Sequence, residues 1–414
     1  MSTTTRPPAA ADARGTDEPG PRRGLLARVS LGQAFAAAPV EFLLISSTAL
    51  ILTGFGAVMV LSATSATSIT AGGGPYDAAI RHGLFALVGV PLMFIVSRFP
   101  IAFLKRISWF ALIAAVLLQL LVFTPLGYES GGNRNWIDVA GFTLQPSEFL
   151  KLALALWVGF ILYRKRTLLA NWKHVFIPLV PVALLAIGTV LAGEDLGTAM
   201  ILVLLVLGAL FFSGVKLRIF ILPVLVGIVG VFALAVTSPN RMARIMSFLD
   251  SECADYYDSC YQPLHGIWAL AEGGVFGVGL GNSKQKYEWL PAAANDYIFA
   301  IVGEELGLIG CAVLLALFAL FAYGAFRIIR RTDDPFVRVV AGGITVWIVG
   351  QALINIGVVL RVFPVLGVPL PFLSSGGTSL ISVLLASGVL LALARTLPPV
   401  AATMADAAPT PRRR

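Results

Sequence analysis

The sequence predicts an all-α, polytopic integral membrane protein with about ten transmembrane helices. Three observations support this fold class. Hydrophobic residues make up 57% of the 414-residue chain and charged residues only 13%, whereas a soluble domain carries roughly 25% charged residues. Apolar runs long enough to cross a bilayer recur along the whole chain. The basic residues cluster in the connections between these runs, which is a topology pattern and gives no reason to expect a nucleic-acid partner.

Ten segments are mainly apolar over roughly the 20 residues that a spanning helix needs. In chain order they are 41–63, 80–97, 104–125, 147–163, 174–192, 197–213, 218–237, 296–324, 339–361 and 376–395. The fifth and sixth segments are the least distinct, because only four residues separate them. We predict that the membrane domain covers residues 40–396, that residues 1–39 form a disordered cytoplasmic tail, and that residues 397–414 form a basic cytoplasmic tail.

The basic clusters predict which connections face the cytoplasm, since cytoplasmic loops carry an excess of Lys and Arg. These clusters lie at residues 22–28, 98–106, 164–173, 216–218, 327–338 and 412–414. All of these clusters lie on the cytoplasmic side if the chain crosses the membrane ten times with both ends inside. Nine or eleven crossings would not give this agreement. The large outer loop is then residues 238–295, between helices 7 and 8. Its Trp, Tyr and Gly residues predict an ordered loop that packs on the membrane domain.

A few cations lie on the predicted outer side, against the topology bias. They include Arg134, Arg241, Arg244 and Lys286. A phosphate or pyrophosphate ligand would favour them, because Arg pairs bidentately with phosphate oxygens. The alternative is contact with lipid headgroups or with a local acidic side chain.

Polar side chains also occur inside two predicted spans. Glu148 and Lys151 are three residues apart, so they share one helix face. This pair predicts either a wet cavity or a structural ion pair, because exposure to lipid would be costly. Gln351 and Asn355 are four residues apart in the ninth span, which is typical of hydrogen bonds between helices.

Asp296 lies where the large outer loop meets the eighth span. A carboxylate that is half out of water has a raised pKa, which suits a general base at neutral pH. The alternative is a helix N-cap, for which Asp is a favoured residue. Asp195 is predicted chiefly as a cap. The prolines and glycines of residues 364–377 exclude a continuous helix and predict a re-entrant or interfacial loop that lines a cavity.

The glycine run and the cysteines are less specific. Residues 273–282 resemble a phosphate-binding loop but follow no predicted strand, so tight turns explain them better. Cys253 and Cys260 both fall in the predicted outer loop, where an oxidising environment permits a disulfide; the alternative is two thiols. Cys311 lies inside a span and is predicted to be a packing residue.

Several motifs, in order from about residue 40 to 396, resemble the SEDS family (shape, elongation, division and sporulation). They are Gly132-Asn133-Arg134-Asn135-Trp136-Ile137, Gln145-Pro146-Ser147-Glu148-Phe149-Leu150-Lys151, Asp195-Leu196-Gly197-Thr198, Tyr261-Gln262, residues 299–307 and residues 369–377. Residues 277–286 resemble the division-type members more than the elongation-type members.

The resemblance implies a ten-helix fold and a peptidoglycan glycosyltransferase of the bacterial cytoplasmic membrane. The enzyme would polymerise lipid II at the outer face during septal wall synthesis. Expected partners are lipid II, the growing glycan strand, a class B penicillin-binding protein, other divisome membrane proteins and membrane lipids. No cofactor is certain, although a divalent cation, Mg²⁺ or Mn²⁺, could assist. The alternatives are a lipid II flippase and a non-catalytic scaffold for a penicillin-binding protein.

The resemblance also implies roles for single residues. Asp296 matches the essential aspartate of the family's outer loop. The substrate-binding candidates, from the motifs and the outer cations, are Arg134, Trp136, Glu148, Lys151, Arg241, Arg244, Gln262, Lys286, Glu288, Ser374 and Ser375. This chain departs from the family pattern at Ala292–Ala294, where the family usually has Glu-Ala-His, and at Glu194, where Pro is usual.

Overall fold

The structure is a computed structural model that describes residues 38–70, 72–139, 141–236, 239–249, 256 and 260–398. The two predicted tails fall almost entirely outside these residues. Twelve α-helices are present in the described part of the chain: α1 (Val40–Thr70), α2 (Asp77–Val96), α3 (Ile101–Leu120), α4 (Pro146–Arg164), α5 (Trp172–Ala192), α6 (Leu196–Phe212), α7 (Leu217–Val236), α8 (Pro239–Leu249), α9 (Tyr261–Gly273), α10 (Ile298–Arg331), α11 (Pro335–Val359) and α12 (Gly377–Ala394).

The predicted helical fold class is confirmed. A helix lies at each of the ten predicted segments, within a few residues except at the longer ends of α1 and α10. Eight helices of the described chain are long and apolar enough to cross a membrane, and α6 is a shorter apolar helix. The count of ten crossings stays a prediction.

A small antiparallel sheet was not predicted. Its strands are β1 (Gly127–Ser130), β2 (Asn133–Val139) and β3 (Phe142–Leu144), in the order β1-β2-β3. The sheet lies between α3 and α4. The backbone N–H of Arg134 donates to the Gly193 carbonyl at 2.9 Å, so the sheet is attached to the turn between α5 and α6.

The centre of the bundle is formed by α4, α11 and α12, whose apolar residues are mostly buried. The outer surfaces of α2 and α3 expose large apolar residues such as Leu87 and Phe110, as expected of helices that face lipid. We call the side of the bundle that carries the sheet, α8, α9 and residues 274–297 the loop side. Residues 364–376 also lie there without helix or strand, as predicted.

Helix α10 is broken at Gly307, where φ is 66° and ψ is −165°. The glycine-rich segment 273–279 packs against this break. Four backbone hydrogen bonds join them, from the N–H groups of Val278, Gly279, Leu308 and Ile309 to the carbonyls of Glu304, Glu305, Gly274 and Val275. These bonds satisfy groups that the broken helix leaves open, as backbone within a bilayer requires. The glycine run therefore forms tight turns and allows the two backbones to lie close together.

Candidate active site

Asp296 lies on the loop side, two residues before the first residue of α10. Its side chain is half-buried. Burial, together with the nearby Asp195 carboxylate, raises the pKa of Asp296 to about 6, and the Arg244 guanidinium opposes this shift. A carboxylate of this kind is ionised at neutral pH but is more basic than an ordinary aspartate, which suits proton abstraction.

Residues 366–368 form a wall beside Asp296. A β-carbon placed on Gly367 would lie 3.7 Å from Asp296 Oδ2. The side-chain amide of Asn355 donates to the Asp296 carbonyl at 2.7 Å and to the Val368 carbonyl at 2.8 Å. The sequence predicted only that Asn355 joins helices, and its spacing from Gln351 gave no sign of a contact with Asp296.

A cavity of about 520 Å³ lies on the other side of this wall. Its lining is mainly apolar and comes from α6, α7, α11 and residues 363–366. At the loop side it is lined by the arginines Arg241 and Arg244 of α8, by Glu194 and by Asn133 at the hairpin tip. A guanidinium nitrogen of Arg241 donates to the Glu194 carbonyl at 2.5 Å. An apolar chamber with cations at one end can accommodate a lipid that carries an anionic headgroup.

Arg134 and Trp136 belong to the sheet. The Arg134 guanidinium donates to the carbonyls of Val122 and Thr124 at 3.0 and 3.1 Å. These bonds hold the side chain on the segment that follows α3. Trp136 is half-buried and pairs with Tyr128 across β1 and β2. The structure thus gives both residues a place in the sheet, and their substrate contacts stay a prediction.

Glu148 and Lys151 form an ion pair at 2.9 Å that is almost fully buried. Lys151 Nζ also donates to Gln351 Oε1 at 3.0 Å, and Ser382 donates to the second Glu148 oxygen at 3.0 Å. The Trp347 indole N–H donates to the same Gln351 oxygen. The network joins α4, α11 and α12, which fits the structural alternative that the sequence left open.

Asp195 is the N-cap of α6, as predicted. Its carboxylate accepts hydrogen bonds from the backbone and hydroxyl of Thr198 at 2.9 Å each, from Asn135 at 2.8 Å and from Gln145 at 3.2 Å. Asp195 is therefore saturated with donors and positions the sheet and the start of α4.

Lys286 lies in a second buried network rather than in the cavity. Its Nζ lies 3.3 Å from Glu305 Oε1 and donates to the Gly281 carbonyl at 2.5 Å. Glu304 accepts from the Ser283 hydroxyl at 2.5 Å, and Glu305 accepts from Ser62 of α1 at 2.6 Å. This network attaches residues 281–286 to α1 and α10.

The remaining candidates hold the segment that leads to Asp296. Gln262 donates to the Pro291 carbonyl at 2.9 Å, and Thr70 of α1 donates to the Glu288 carboxylate at 2.7 Å. The Ser374 hydroxyl donates to the Asn295 carbonyl at 2.8 Å, and the Ser375 hydroxyl bonds the Asn295 side chain. These bonds hold residues 288–295, which precede Asp296, and the substrate contacts of the four candidates stay a prediction.

Two further predictions remain open. Cys260 is buried, but Cys253 lies outside the described residues, so the disulfide stays a prediction. Cys311 is buried within α10, as predicted. In the described part of the chain, no group of three or more His, Cys, Asp or Glu side chains could hold a metal ion. A divalent cation that also binds phosphate stays a prediction.

The chain is similar to known proteins over most of its length. Residues 42–398 match the model of the cell cycle protein family FtsW/RodA/SpoVE. The chain is 38% identical to the probable peptidoglycan glycosyltransferase FtsW of Mycobacterium tuberculosis over 88% of this chain and 70% of that protein. It is 36% identical to stage V sporulation protein E of Bacillus subtilis over 86% of this chain and 97% of that protein.

Solved structures show the same fold. A chain of a peptidoglycan synthase complex superposes with a TM-score of 0.68 at 24% identity, over 87% of this chain and 98% of that chain. The rod shape determining protein RodA of Thermus thermophilus superposes with a TM-score of 0.64 at 23% identity, over 88% and 99%.

Proposed function

Because this chain belongs to the FtsW/RodA/SpoVE family of cell cycle proteins, we propose that it is a peptidoglycan glycosyltransferase that polymerises lipid II during cell division. Relatives that are 34–38% identical over most of the chain are named probable peptidoglycan glycosyltransferase FtsW. Asp296 beside the arginine-lined cavity is the observation that carries the proposal.

In the proposed reaction, Asp296 is the general base. It takes the proton from the 4-hydroxyl of the acceptor sugar as the oxygen attacks the anomeric carbon of the donor. The bond from that carbon to the pyrophosphate oxygen breaks, and undecaprenyl pyrophosphate leaves with the bonding electrons. A single base opposite a good leaving group favours inversion at the anomeric carbon. The pKa of about 6 matches this role near neutral pH.

The shape and lining of the cavity support its proposed role as the donor site. Its apolar lining would take part of the polyprenyl chain, while Arg241 and Arg244 would bind the pyrophosphate and stabilise the charge that develops on it. Leu366 lines this space and the next residue, Gly367, lies beside Asp296, so the donor's anomeric carbon would lie near the base. The buried ion pairs of Lys151 and Lys286 support the site from outside the cavity.

The same proposal includes the cellular setting. The protein is an integral membrane protein, and its loop side would face the outside of the cytoplasmic membrane, with both termini in the cytoplasm. It would act at the division septum with a class B penicillin-binding protein and other divisome membrane proteins. A fold shared with a chain of a peptidoglycan synthase complex is consistent with such a partner.

The rival functions predict different behaviour. A flippase needs polar groups along a path through the bilayer, whereas the polar side chains Glu148, Lys151 and Gln351 are bonded to one another. A scaffold would not need a carboxylate at Asp296.

The decisive experiment incubates the purified full-length protein, with and without its cognate penicillin-binding protein, with labelled lipid II. Wild type should form glycan polymer, and Asp296→Ala and Asp296→Asn should not, while both variants still bind the partner. Asp333→Asn, which removes a carboxylate from the opposite side of the bundle, is the matched control and should stay active. Full polymerisation by Asp296→Ala would overturn the base assignment.

A further inference from the structure

Asn355 connects the backbone of Asp296 to the wall of the cavity. Its Nδ2 donates to the carbonyl oxygens of Asp296 and Val368 at 2.7 and 2.8 Å. The residue is 1% exposed, so bulk water does not compete for either bond. One amide group therefore links Asp296 to Val368. Leu366, two residues before Val368, lines the cavity.

The face of α11 that carries Asn355 makes a second contact with the same segment of chain. Gln351, one turn earlier on α11, donates to the Pro369 carbonyl at 2.8 Å. The side-chain oxygen of Gln351 accepts hydrogen bonds from Lys151 Nζ and from the Trp347 indole N–H, both at 3.0 Å. Val368 of the wall and Pro369, the residue after it, are thus bonded to one face of α11. This face gives Asn355 a fixed support from which to hold Asp296.

The other contacts of the Asp296 segment act on its neighbours. Ser375 N–H donates to the Ala294 carbonyl at 3.0 Å, and Ser374 donates to the Asn295 carbonyl at 2.8 Å. Both serines lie on the irregular 364–376 segment, whereas Asn355 lies on a helix of the bundle. Asn355 thus bonds the backbone of Asp296 itself to a helix of the bundle.

We infer that Asn355 is a positioning residue, which sets the separation between the Asp296 carboxylate and the cavity that takes the lipid-linked donor. The inference rests on the proposed function. A shift of about 1 Å in a reacting group can lower a rate by about a hundredfold. Removing this bridge should therefore slow the chemical step while leaving the cavity, and so the binding of lipid II, nearly unchanged.

The test compares Asn355→Leu and Asn355→Asp with wild type in the full-length protein, bound to its cognate penicillin-binding protein and supplied with lipid II. Leucine keeps the approximate volume but cannot donate. Aspartate keeps the shape, and once ionised it also cannot donate to the two carbonyls. Thr345→Val is the matched control, because it removes one side-chain hydrogen bond of α11, to the Ala341 carbonyl, away from Asp296.

Both Asn355 variants should lower kcat about 10- to 100-fold with KM within about twofold of wild type. In Asn355→Leu the acid limb of the kcat profile should also move to lower pH, because a displaced carboxylate gains water. The charged groups that act on Asp296, namely Asp195 of the α5–α6 turn and Arg244 of α8, are unchanged in this variant. Asn355→Asp adds a carboxylate next to the Asp296 backbone, which should move its acid limb to higher pH. Thr345→Val should behave as wild type.

A merely structural role gives a different result. It would lower the folded fraction and the activity in the same proportion at every pH, with the acid limb in place, and that outcome would overturn the inference. Unchanged kcat in both variants would also overturn it. If Asp296→Ala were fully active, the proposed function itself would fail. If Asp296→Ala were inactive and the Asn355 variants fully active, only the positioning role would fail.

Discussion

At the residue scale, two neighbouring carboxylates differ because their surroundings differ. Asp195 accepts four hydrogen bonds from Asn135, Gln145 and Thr198, so its charge is compensated and its place is fixed. Asp296 is half-buried beside this charge, and its pKa is raised to about 6. A saturated carboxylate organises structure, while a poorly compensated one is available for proton transfer.

The raised pKa of Asp296 predicts a pH-dependent stability effect. Between the unfolded value of 3.8 and the folded value of about 6, the folded chain holds a proton that the unfolded chain has lost. Stability therefore falls as pH rises through this window and stays lower above it. Asp296→Asn, which cannot ionise, should raise the free energy of unfolding at pH 7.5 by about 1 to 3 kcal/mol.

The measurement is thermal unfolding of both proteins in detergent from pH 4 to 8. The melting temperatures should converge near pH 4, and Asp333→Asn should show no such trend. A constant difference between Asp296→Asn and wild type across this range would contradict the prediction.

The place of Asp296 at a loop–helix junction left a general base and a helix cap open, and the family resemblance favoured the base. The sequence could not assign the partners of the other polar residues. The spacing of Glu148 and Lys151 shows a shared face, and it does not show that Gln351 and Ser382 complete the network. Likewise, the sequence around Arg134 does not indicate that its guanidinium donates to two backbone carbonyls. Such pairings depend on which distant segments meet, and neither composition nor periodicity records that.

At the element scale, the segment before Asp296 contains backbone strain. Ala292 has a φ of 54°, in the left-handed region that favours glycine. Its carbonyl accepts from the N–H groups of Asn295 and Tyr297, so the turn is fixed in this shape. Glu194 similarly has a φ of 63°, which proline cannot adopt. The departure from the family pattern at Glu194 therefore coincides with a turn that proline cannot form.

Ala292→Gly should stabilise the protein by about 1 kcal/mol, because glycine adopts this φ without a steric cost. Ala293→Gly is the matched control. Ala293 is buried and has no left-handed φ, so its change should be destabilising by a similar amount. Thermal unfolding of the two variants in detergent measures the difference, and equal shifts of the same sign would argue against strain at Ala292.

The ion pair between Glu148 and Lys151 predicts a strong asymmetry between single and double substitutions. Lys151→Met leaves the Glu148 carboxylate buried without its counter-charge, which should cost about 3 to 5 kcal/mol of stability. The double variant Glu148→Gln with Lys151→Met removes both charges and should recover most of that loss. Unfolding temperature and the yield of monodisperse protein would measure this, and equal stability of the single and double variants would refute it.

The helices were predictable because long apolar runs in the sequence indicate them. The small sheet could not be predicted in this way. Strands β1, β2 and β3 contain four, seven and three residues, and β1 is mostly exposed. They therefore lack the alternation of apolar and polar residues that identifies a half-buried strand. The irregular 364–376 segment was predictable, because its prolines exclude a helix.

At the scale of the whole molecule, the topology can be tested directly. Glu129 of β1 and Asp333 between α10 and α11 are both exposed, and ten crossings place them on opposite sides. A membrane-impermeant maleimide should label Glu129→Cys in cells whose outer layers admit the reagent. Asp333→Cys should be labelled only after the membrane is permeabilised. The chain has three cysteines of its own, so the labelling of the unsubstituted chain is subtracted from both results. The reverse labelling pattern would refute the predicted orientation.

The backbone contact between the broken helix α10 and the glycine-rich segment 273–279 restricts where residues can be inserted into the chain. A side chain at Gly273, Gly277 or Gly307 would collide with backbone atoms across the contact, and an inserted residue would shift all four hydrogen bonds out of register. Epitope tags, or natural insertions between relatives, should therefore be rejected between residues 273 and 279.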